Sequence, residues 1–173
     1  LSSSSAASDV YKRQEEDHQD TLSLLREVRF ERAFMFSYSL REKTHAHRAL
    51  VDDVPEPVKQ RRLREVIDTF TPLARLRNEA DVGSTHLVLV ERTSKKSDAE
   101  WVGRTDTGKK VIVPRRPVAH AIGRSGEVDL SVGDFVAVRV TQAISANTLR
   151  GEPLARTGIR AFTESQRSGH AAL

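Results

Sequence analysis

The side chains best suited to chemistry in this sequence are cations gathered in one stretch. Between positions 95 and 110 the chain places five basic residues and its one tryptophan: Lys95, Lys96, Arg104, Lys109, Lys110 and Trp101. Basic groups that neutralise phosphates release counterions, so such a cluster binds nucleic acid tightly at low salt and weakly at high salt. Trp101 could stack on an unpaired base, although a lone tryptophan within a strand is more often a core residue. The stretch predicts a surface that binds a polyanionic backbone.

A second candidate site lies at Tyr38 and Arg41, where an apolar run ends. Residues 32–39, RAFMFSYS, are nearly all apolar or aromatic, which is typical of a strand buried on both faces of a parallel sheet. The carboxyl ends of such strands face the ligand crevice. There Arg41 could hold a carboxylate or phosphate with its planar fork, and Tyr38 could stack or donate a hydrogen bond. The spacing is equally compatible with a solvated Arg41 and a core Tyr38.

Residue types argue against several classes of catalyst. The chain has no cysteine, which excludes disulfides, thiol nucleophiles and cysteine-held metal clusters within it. It contains no glycine-rich phosphate loop, HExxH or GxSxG string. His45 and His47 are two residues apart in a predicted loop without a third ligand, which favours solvated side chains over a metal site. Asp52 and Asp53 are explained by a helix start rather than by catalysis, so no catalytic or metal-binding residue is predicted.

The charge distribution favours the second half of the chain as the anion-binding part. Residues 1–80 carry 14 basic and 14 acidic side chains, whereas residues 81–160 carry 13 basic and 9 acidic ones. An excess of this size is also common on solvated surfaces, so it supports a nucleic-acid partner only in part. No apolar run approaches the ~20 residues of a transmembrane helix, which excludes a membrane-spanning protein.

The first half of the chain predicts an α/β remnant over residues 15–80. A helix is expected over residues 15–30, capped by Asp20 or Thr21, and the buried strand follows. A second helix is expected from Asp53, with Asp53 and Glu56 as a capping box and Pro55 in the first turn. Pro72 should end or kink this helix. Residues 1–14 are expected to be disordered, and their composition is compatible with a cloning remnant foreign to the gene.

The second half predicts a small all-β barrel. Five short strand-like runs occur at residues 87–90, 100–104, 111–113, 135–140 and 147–151, with turn signals between them. Runs of this length and spacing are typical of a closed five-stranded barrel of the OB type. Residues 115–124 predict a variable loop, and the tail from residue 158 to 173 is expected to lack structure. The predicted domain spans residues 83–157.

Several segments, taken in order, resemble the MiaB-type tRNA methylthiotransferases. They are AFMFSYSLREKT, DDVPEPVKQRRL, LVLVERTSKKS, VGRTD, VIVP and TLRGE. EEDHQDTLSLLREV resembles the helix that follows the family's GETEEDH segment. The match covers about residues 15–157 and is most similar to the family's eukaryotic branch.

The resemblance implies a radical S-adenosylmethionine enzyme with two 4Fe–4S clusters. Such enzymes insert a methylthio group at C2 of an N6-isopentenylated adenosine beside the tRNA anticodon. Residues 15–50 would be the last helix and strand of the family's partial TIM barrel, and residues 83–157 its TRAM domain. The implied partners are the tRNA anticodon stem-loop and the family's N-terminal domains. The implied compartment is the mitochondrion or the cytoplasm.

Departures from the family pattern limit what this chain could do by itself. The CxxxCxxC triplet, the N-terminal cluster cysteines and the glycine-rich strands that hold S-adenosylmethionine are missing, so the polypeptide alone is predicted to be inactive. Arg92 stands where the family usually has Gly, and Pro57 where it usually has Glu. The alternative is a non-catalytic barrel that binds RNA or protein as an adaptor.

Overall fold

The computed structural model describes residues 3–39, 41–45, 48, 53–120 and 126–168, with side chains from residue 14 onward. The elements with described bounds are α1 (Ser3–Val28), α2 (Glu56–Ala80), β1 (Thr85–Thr93), β2 (Glu100–Thr105), β3 (Lys110–Pro114), β4 (Val118–Ala119), β5 (Glu127–Val128), β6 (Phe135–Ser145), β7 (Thr148–Thr157) and α3 (Ile159–Ser168). The chain forms two compact units, Leu1–Leu73 and Ala74–Leu173. Over the described residues, no helix combines the length and the apolar character that spanning a membrane requires.

The boundary between the units falls inside α2, earlier than the predicted change at residues 81–83. Ala74 is only 1% exposed. Asn78 is fully buried, and its side-chain amide donates a hydrogen bond of 2.7 Å to the carbonyl of Ser145 in β6. The last two turns of α2 therefore belong to the barrel unit.

Helix α1 begins at Ser3, so the expectation of disorder over residues 1–14 is wrong from residue 3 onward. The predicted caps at Asp20 and Thr21 lie within the helix for the same reason. Residues 3–14 contain no Gly or Pro that would break a helix, and their Ala and Ser residues can continue one. Leu22 and Leu25 are buried on one face, as the predicted apolar period requires.

Residues 32–39 take part in no strand pairing, which corrects the predicted buried strand. Phe34, Phe36 and Tyr38 are 74%, 83% and 53% exposed. A parallel-sheet strand needs neighbours on both sides to satisfy its backbone groups, and the described chain supplies none to this segment. The segment has the apolar composition of a buried strand, but burial depends on partners that composition does not supply.

Helix α2 differs from the prediction at its start and at Pro72. The carbonyl of Pro55 accepts hydrogen bonds from the amides of Val58 and Lys59, so Pro55 rather than Asp53 precedes the first helical residue. Pro72 lies inside the helix, which continues to Ala80. A proline removes one hydrogen bond and more often kinks a helix than ends it when tertiary contacts hold both sides.

The second unit is a closed five-stranded barrel, as the sequence predicts. The hydrogen-bonded order β3-β2-β1-β6-β7 is closed by a parallel pairing of β3 with β7. All other neighbours in this ring are antiparallel. The two-residue strands β4 and β5 pair with each other, and β4 also pairs with β7, so the described part of the predicted loop, residues 115–120, includes strand β4.

Alternating apolar side chains fill the barrel. Val88, Val111, Val136, Val138 and Leu149 are fully buried in one cluster. Glycine is required where β2 pairs closely with β1, because a Cβ on Gly103 would overlap the carbonyl oxygen of Leu89 and a methyl of Val88. After β7, helix α3 spans Ile159–Ser168, so the expected lack of structure from residue 158 is wrong for these residues; residues 169–173 lie outside the described part of the chain. The helix has no buried residue, and its start is closed by the Phe162 amide, which donates to the carbonyl of Gly158.

Candidate nucleic-acid interface

The barrel separates the predicted basic cluster into two groups at opposite ends of β2. Lys95 and Lys96 lie in the β1–β2 connection, whereas Lys109 lies in the β2–β3 connection and Arg104 and Lys110 flank it. Successive connections of an antiparallel meander lie at opposite ends of the strands. A strand of six residues spans roughly 20 Å, so β2 keeps the two groups apart and one continuous cluster does not form.

The cations around the β2–β3 connection are largely neutralised. Lys109 is 2% exposed, and its ammonium lies 2.5 Å from a carboxylate oxygen of Asp81. Arg104 donates to Glu91 at 2.8 Å. Two of the three predicted cations at this end therefore have a carboxylate partner, and Lys109 is a buried structural group rather than a surface contact.

The opposite end of the barrel carries exposed cations that have no carboxylate partner in the described ranges. Lys95 and Lys96 are exposed, and so is Arg92 near the end of β1. Strand β3 ends at the same place, because Pro114 pairs with Glu100 and the Arg115 amide donates to the carbonyl of Ala99 at 2.8 Å. Arg92, Lys95, Lys96 and Arg115 are called the basic rim below.

The basic rim has an excess of three positive charges. Residues 92–99 together with residue 115 contain the four rim cations and a single carboxylate, that of Asp98. Glu100 at the start of β2 is already paired with Arg150 at 2.7 Å. Within the part of the chain that the structure describes, no carboxylate lies within ion-pair distance of any rim cation. This end of the barrel is therefore suited to bind phosphate.

Arg92 directly follows a bulge in β1 and does not lie in a tight turn. The pairing of β1 with β2 shifts register between Val90 and Arg92, and Arg92 has no positive φ. The Gly that the resembled family usually has at this position is therefore not required by the backbone, and a bulge changes the direction in which neighbouring side chains point.

Trp101 belongs to the core, as its position in a strand favours, and is not an open platform for a base. It is 6% exposed and packs in the main apolar cluster. The guanidinium of Arg115 lies over its ring, 4.6 Å from the ring centroid. Sequence reasoning missed Arg115 because it follows a strand rather than lying in a basic run. Antiparallel pairing of the segments VGRTD and VIVP places the residue after β3 near the start of β2, and this pairing is the signal that could have identified Arg115.

Tyr38 and Arg41 share one open cavity of about 570 Å³ in the first unit, lined also by Phe36, Ser37, Ser39 and Thr44. Tyr38 is half exposed rather than a core residue. The ammonium of Lys59 lies 6.0 Å from its ring centroid. The cavity thus combines aromatic and cationic groups, which suits an aromatic anion. Its aromatic residues lie in the segment 32–39, which forms no strand pairing.

Glu15, His18 and Glu65 of the first unit lie close enough together to hold a metal ion, but arginines engage both carboxylates. Arg61 donates to Glu15 at 2.8 Å and to Glu65 at 2.9 Å, and Arg62 donates to Glu15 at 3.1 Å. The hydrogen bond from Arg61 holds the pKa of Glu15 at about 2. The hydrogen bond from His18, at 2.6 Å, is the main cause of a lowered pKa for Glu65. The cluster is a polar clamp between α1 and α2.

The remaining candidates add no site. His45 is exposed, and His47 and Asp52 lie outside the described residues. Asp53 is exposed, two residues before the carbonyl that starts α2.

Comparison with known families decides what the barrel is. Residues 79–154 match the family described as "TRAM domain". The barrel is a TRAM domain. The basic rim is therefore one end of a TRAM domain, and the predicted span of residues 83–157 overlaps nearly all of the match.

The TRAM domain and the helices before it are homologous to tRNA-modifying enzymes. The chain is 47% identical to the human "Mitochondrial tRNA methylthiotransferase CDK5RAP1" over 84% of its length and 43% identical to a rice "CDK5RAP1-like protein" over 89%. It is 46% identical over 80% of its length to the "tRNA-2-methylthio-N(6)-dimethylallyladenosine synthase" of Phocaeicola vulgatus. These alignments confirm the resemblance carried by the sequence motifs. The chain spans about a quarter of the length of these relatives, 24% to 27%.

Proposed function

We propose that the TRAM domain of this chain binds the anticodon stem-loop of tRNA through the basic rim. The observation that carries the proposal is the excess of three positive charges at one end of the barrel, next to a TRAM core. Phosphate contacts of this kind position a protein on RNA and dominate its affinity. The names of the relatives include tRNA, which supports RNA as the polyanion.

The wider activity proposed is that of a tRNA-2-methylthio-N6-isopentenyladenosine synthase, to which this chain would contribute the RNA-binding part. In that setting Tyr38 and Arg41 are the proposed substrate-pocket residues, because they line one cavity with aromatic and cationic character. The exposed run from Phe34 to Tyr38 would then pack against the N-terminal domains that the related enzymes carry. The names of three relatives include "Mitochondrial" and "methylthiotransferase", and other relatives are bacterial, so we infer a mitochondrial or cytoplasmic site of action.

The residues of this chain do not fit the clusters that the family resemblance implies. Cysteine thiolates hold 4Fe–4S clusters, and the chain contains no cysteine. We therefore expect no methylthio transfer by this polypeptide alone, and its own residues act by binding and orienting RNA. An assay with S-adenosylmethionine and isopentenylated tRNA checks this: formation of methylthio-adenosine by the purified chain would contradict it.

The binding proposal is tested with the full chain and a fluorescein-labelled tRNA anticodon stem-loop, by anisotropy across a salt series. If all four rim cations contact phosphate, the slope of log affinity against log salt should be roughly −3. An RNA duplex of equal length without a loop is the control for shape. No binding at low salt, or an affinity independent of salt, would overturn the proposal.

The second candidate is a non-catalytic adaptor that binds RNA or protein through the same barrel. The two proposals differ in what precedes residue 15 in the transcribed gene. A CxxxCxxC motif in the same reading frame supports the enzyme, whereas a reading frame without it supports the adaptor.

A further inference from the structure

Two adjacent arginines after β3 have different environments. The guanidinium of Arg116 donates to the carboxylate of Glu152 at 2.6 Å. The guanidinium of Arg115 instead lies 4.6 Å from the centroid of the Trp101 ring. Both side chains are exposed. The sequence RR therefore contains one neutralised cation and one whose charge has no carboxylate partner among the described residues.

Arg115 is held both at its backbone and at the guanidinium end of its side chain. Its backbone amide donates to the carbonyl of Ala99 at 2.8 Å, which holds its Cα against the end of the β1–β2 connection. Its guanidinium is held by the face of a tryptophan that is 6% exposed and packed in the barrel core. Stacking on an aromatic face uses the plane of the guanidinium and leaves its N–H edges free to donate.

We propose that Arg115, preorganised by stacking on Trp101, is a phosphate-binding residue of the TRAM domain, with Trp101 as its positioning residue. The inference rests on the proposed RNA-binding function and deepens it. A planar fork matches two phosphate oxygens, and a side chain that is already ordered loses less conformational entropy on binding. Lys95 and Lys96 supply positive charge from a loop, whereas Arg115 also supplies hydrogen-bond donors in a fixed orientation.

The composition of the chain provides a direct reporter. Trp101 is the single tryptophan, so tryptophan fluorescence reports on the ring beneath Arg115 and on nothing else. Phosphate bound to the guanidinium changes the charge above the ring. Titration with the unlabelled anticodon stem-loop should therefore change the fluorescence of the full chain with the same midpoint as the anisotropy curve of the labelled RNA.

Three variants distinguish the effect of where the positive charge lies from the effect of how much charge is present. Arg115→Ala and Arg116→Ala each remove one positive charge from neighbouring positions, so they form a matched pair. We expect Arg115→Ala to weaken RNA binding about tenfold, and Arg116→Ala no more than about twofold. Arg115→Lys keeps the charge and covers part of the ring but loses the fork, so it should weaken binding about threefold with an unchanged salt slope. Thermal unfolding of each variant confirms that the barrel is intact.

The outcomes distinguish this inference from the function on which it rests. Salt-dependent RNA binding without any fluorescence change, or equal losses for Arg115→Ala and Arg116→Ala, would overturn the role of Arg115 and leave RNA binding by the barrel in place. Absence of RNA binding by the wild-type chain would overturn both. If Arg115→Ala fails to fold, the comparison of Arg115→Lys with wild type and the wild-type fluorescence titration still decide the matter.

Discussion

The ammonium of Lys109 lies 2.5 Å from a carboxylate oxygen of Asp81, and its side chain is 3% exposed while that of Asp81 is 21% exposed. The pair joins the β2–β3 connection to the turn that precedes β1. Asp81 also lies beside His86, whose Nε2 is 3.8 Å from its other oxygen. Lys109, which the sequence pattern predicts to bind RNA, thus forms a buried ion pair that holds two connections of the barrel together.

Asp81→Asn should destabilise the barrel more than Lys109→Met does. The first change removes a carboxylate that compensates a buried ammonium, and a buried charge that loses a partner is costly. The second leaves a partly exposed carboxylate that water can solvate, and Met fills much of the same volume. Urea unfolding followed by Trp101 fluorescence measures both. Lys109→Met should keep wild-type RNA affinity, and a large loss of affinity in this folded variant would return Lys109 to the interface.

Removing charge at the two ends of β2 should affect RNA binding unequally. Lys95→Gln with Lys96→Gln removes two uncompensated rim charges, so the salt slope should fall in magnitude by roughly 1.5. Arg104→Gln with Lys110→Gln removes the same formal charge at the opposite end, where Arg104 is already paired with Glu91, and should change affinity less. Anisotropy titrations at several salt concentrations compare the two double variants. Equal losses would mean that the whole barrel, rather than the basic rim, attracts RNA.

Gly103→Ala should destabilise the barrel by about 1–3 kcal/mol, because the added methyl must displace backbone atoms of β1. A Cβ at this position would overlap the carbonyl oxygen of Leu89, and a backbone group cannot move aside as a side chain can. Gly158→Ala is the matched control, since nothing lies within 4 Å of its added Cβ. Thermal unfolding compares the two, and a wild-type melting temperature for Gly103→Ala would show that β1 and β2 can separate without cost.

The clamp between α1 and α2 should weaken in acid. The pKa of Glu15 is about 2 in the folded chain, against an ordinary value of 4.5, chiefly because Arg61 donates to its carboxylate. A lowered folded-state pKa means that the unfolded chain binds the proton first, so the stabilisation is complete above pH 4.5 and is lost as pH falls towards 2.

Glu15→Gln should therefore reduce the stability of the first unit at neutral pH and have little further effect near pH 2. Far-UV circular dichroism during urea unfolding, repeated from pH 7 down to pH 2, measures the difference. Glu16→Gln is the control, because Glu16 is the next residue and is exposed. If the difference in the free energy of unfolding between wild type and Glu15→Gln stays constant over this pH range, the ion-pair assignment is contradicted.

The strands of the barrel were predictable because local signals specify them. Valine-rich runs such as residues 87–90 and 111–113 alternate with turn residues, and these runs form β1 and β3 with a few added residues at each end. The homologous segments VGRTD and TLRGE include Gly103 and Gly151, where an added Cβ would meet a neighbouring strand. The helices were predictable in their centres but not in their extent. Helix α1 begins at Ser3, before the apolar period that locates it, and α2 continues through Pro72, where a proline is expected to end or kink a helix.

The site was only partly predictable. Lys95 and Lys96 are exposed at one end of the barrel, as a solvated basic loop should be. Lys109, two positions from the exposed Thr107, is buried against Asp81, which is 28 residues away in the chain. Arg115 was missed because its partner Trp101 lies 14 positions earlier and reaches it only through the β2–β3 pairing.

The sequence by itself determined the strand-forming runs, the lack of any thiolate and the excess of positive charge after residue 80. The tertiary structure decided which of those charges can meet an anion. Antiparallel connections alternate between the two ends of the strands, so neighbours in sequence were separated by the length of β2, and Arg115 was brought beside the β1–β2 loop. Burial follows from partners distant in the chain, which is also why the apolar residues 34–38 stay exposed when the described chain offers them no sheet to join.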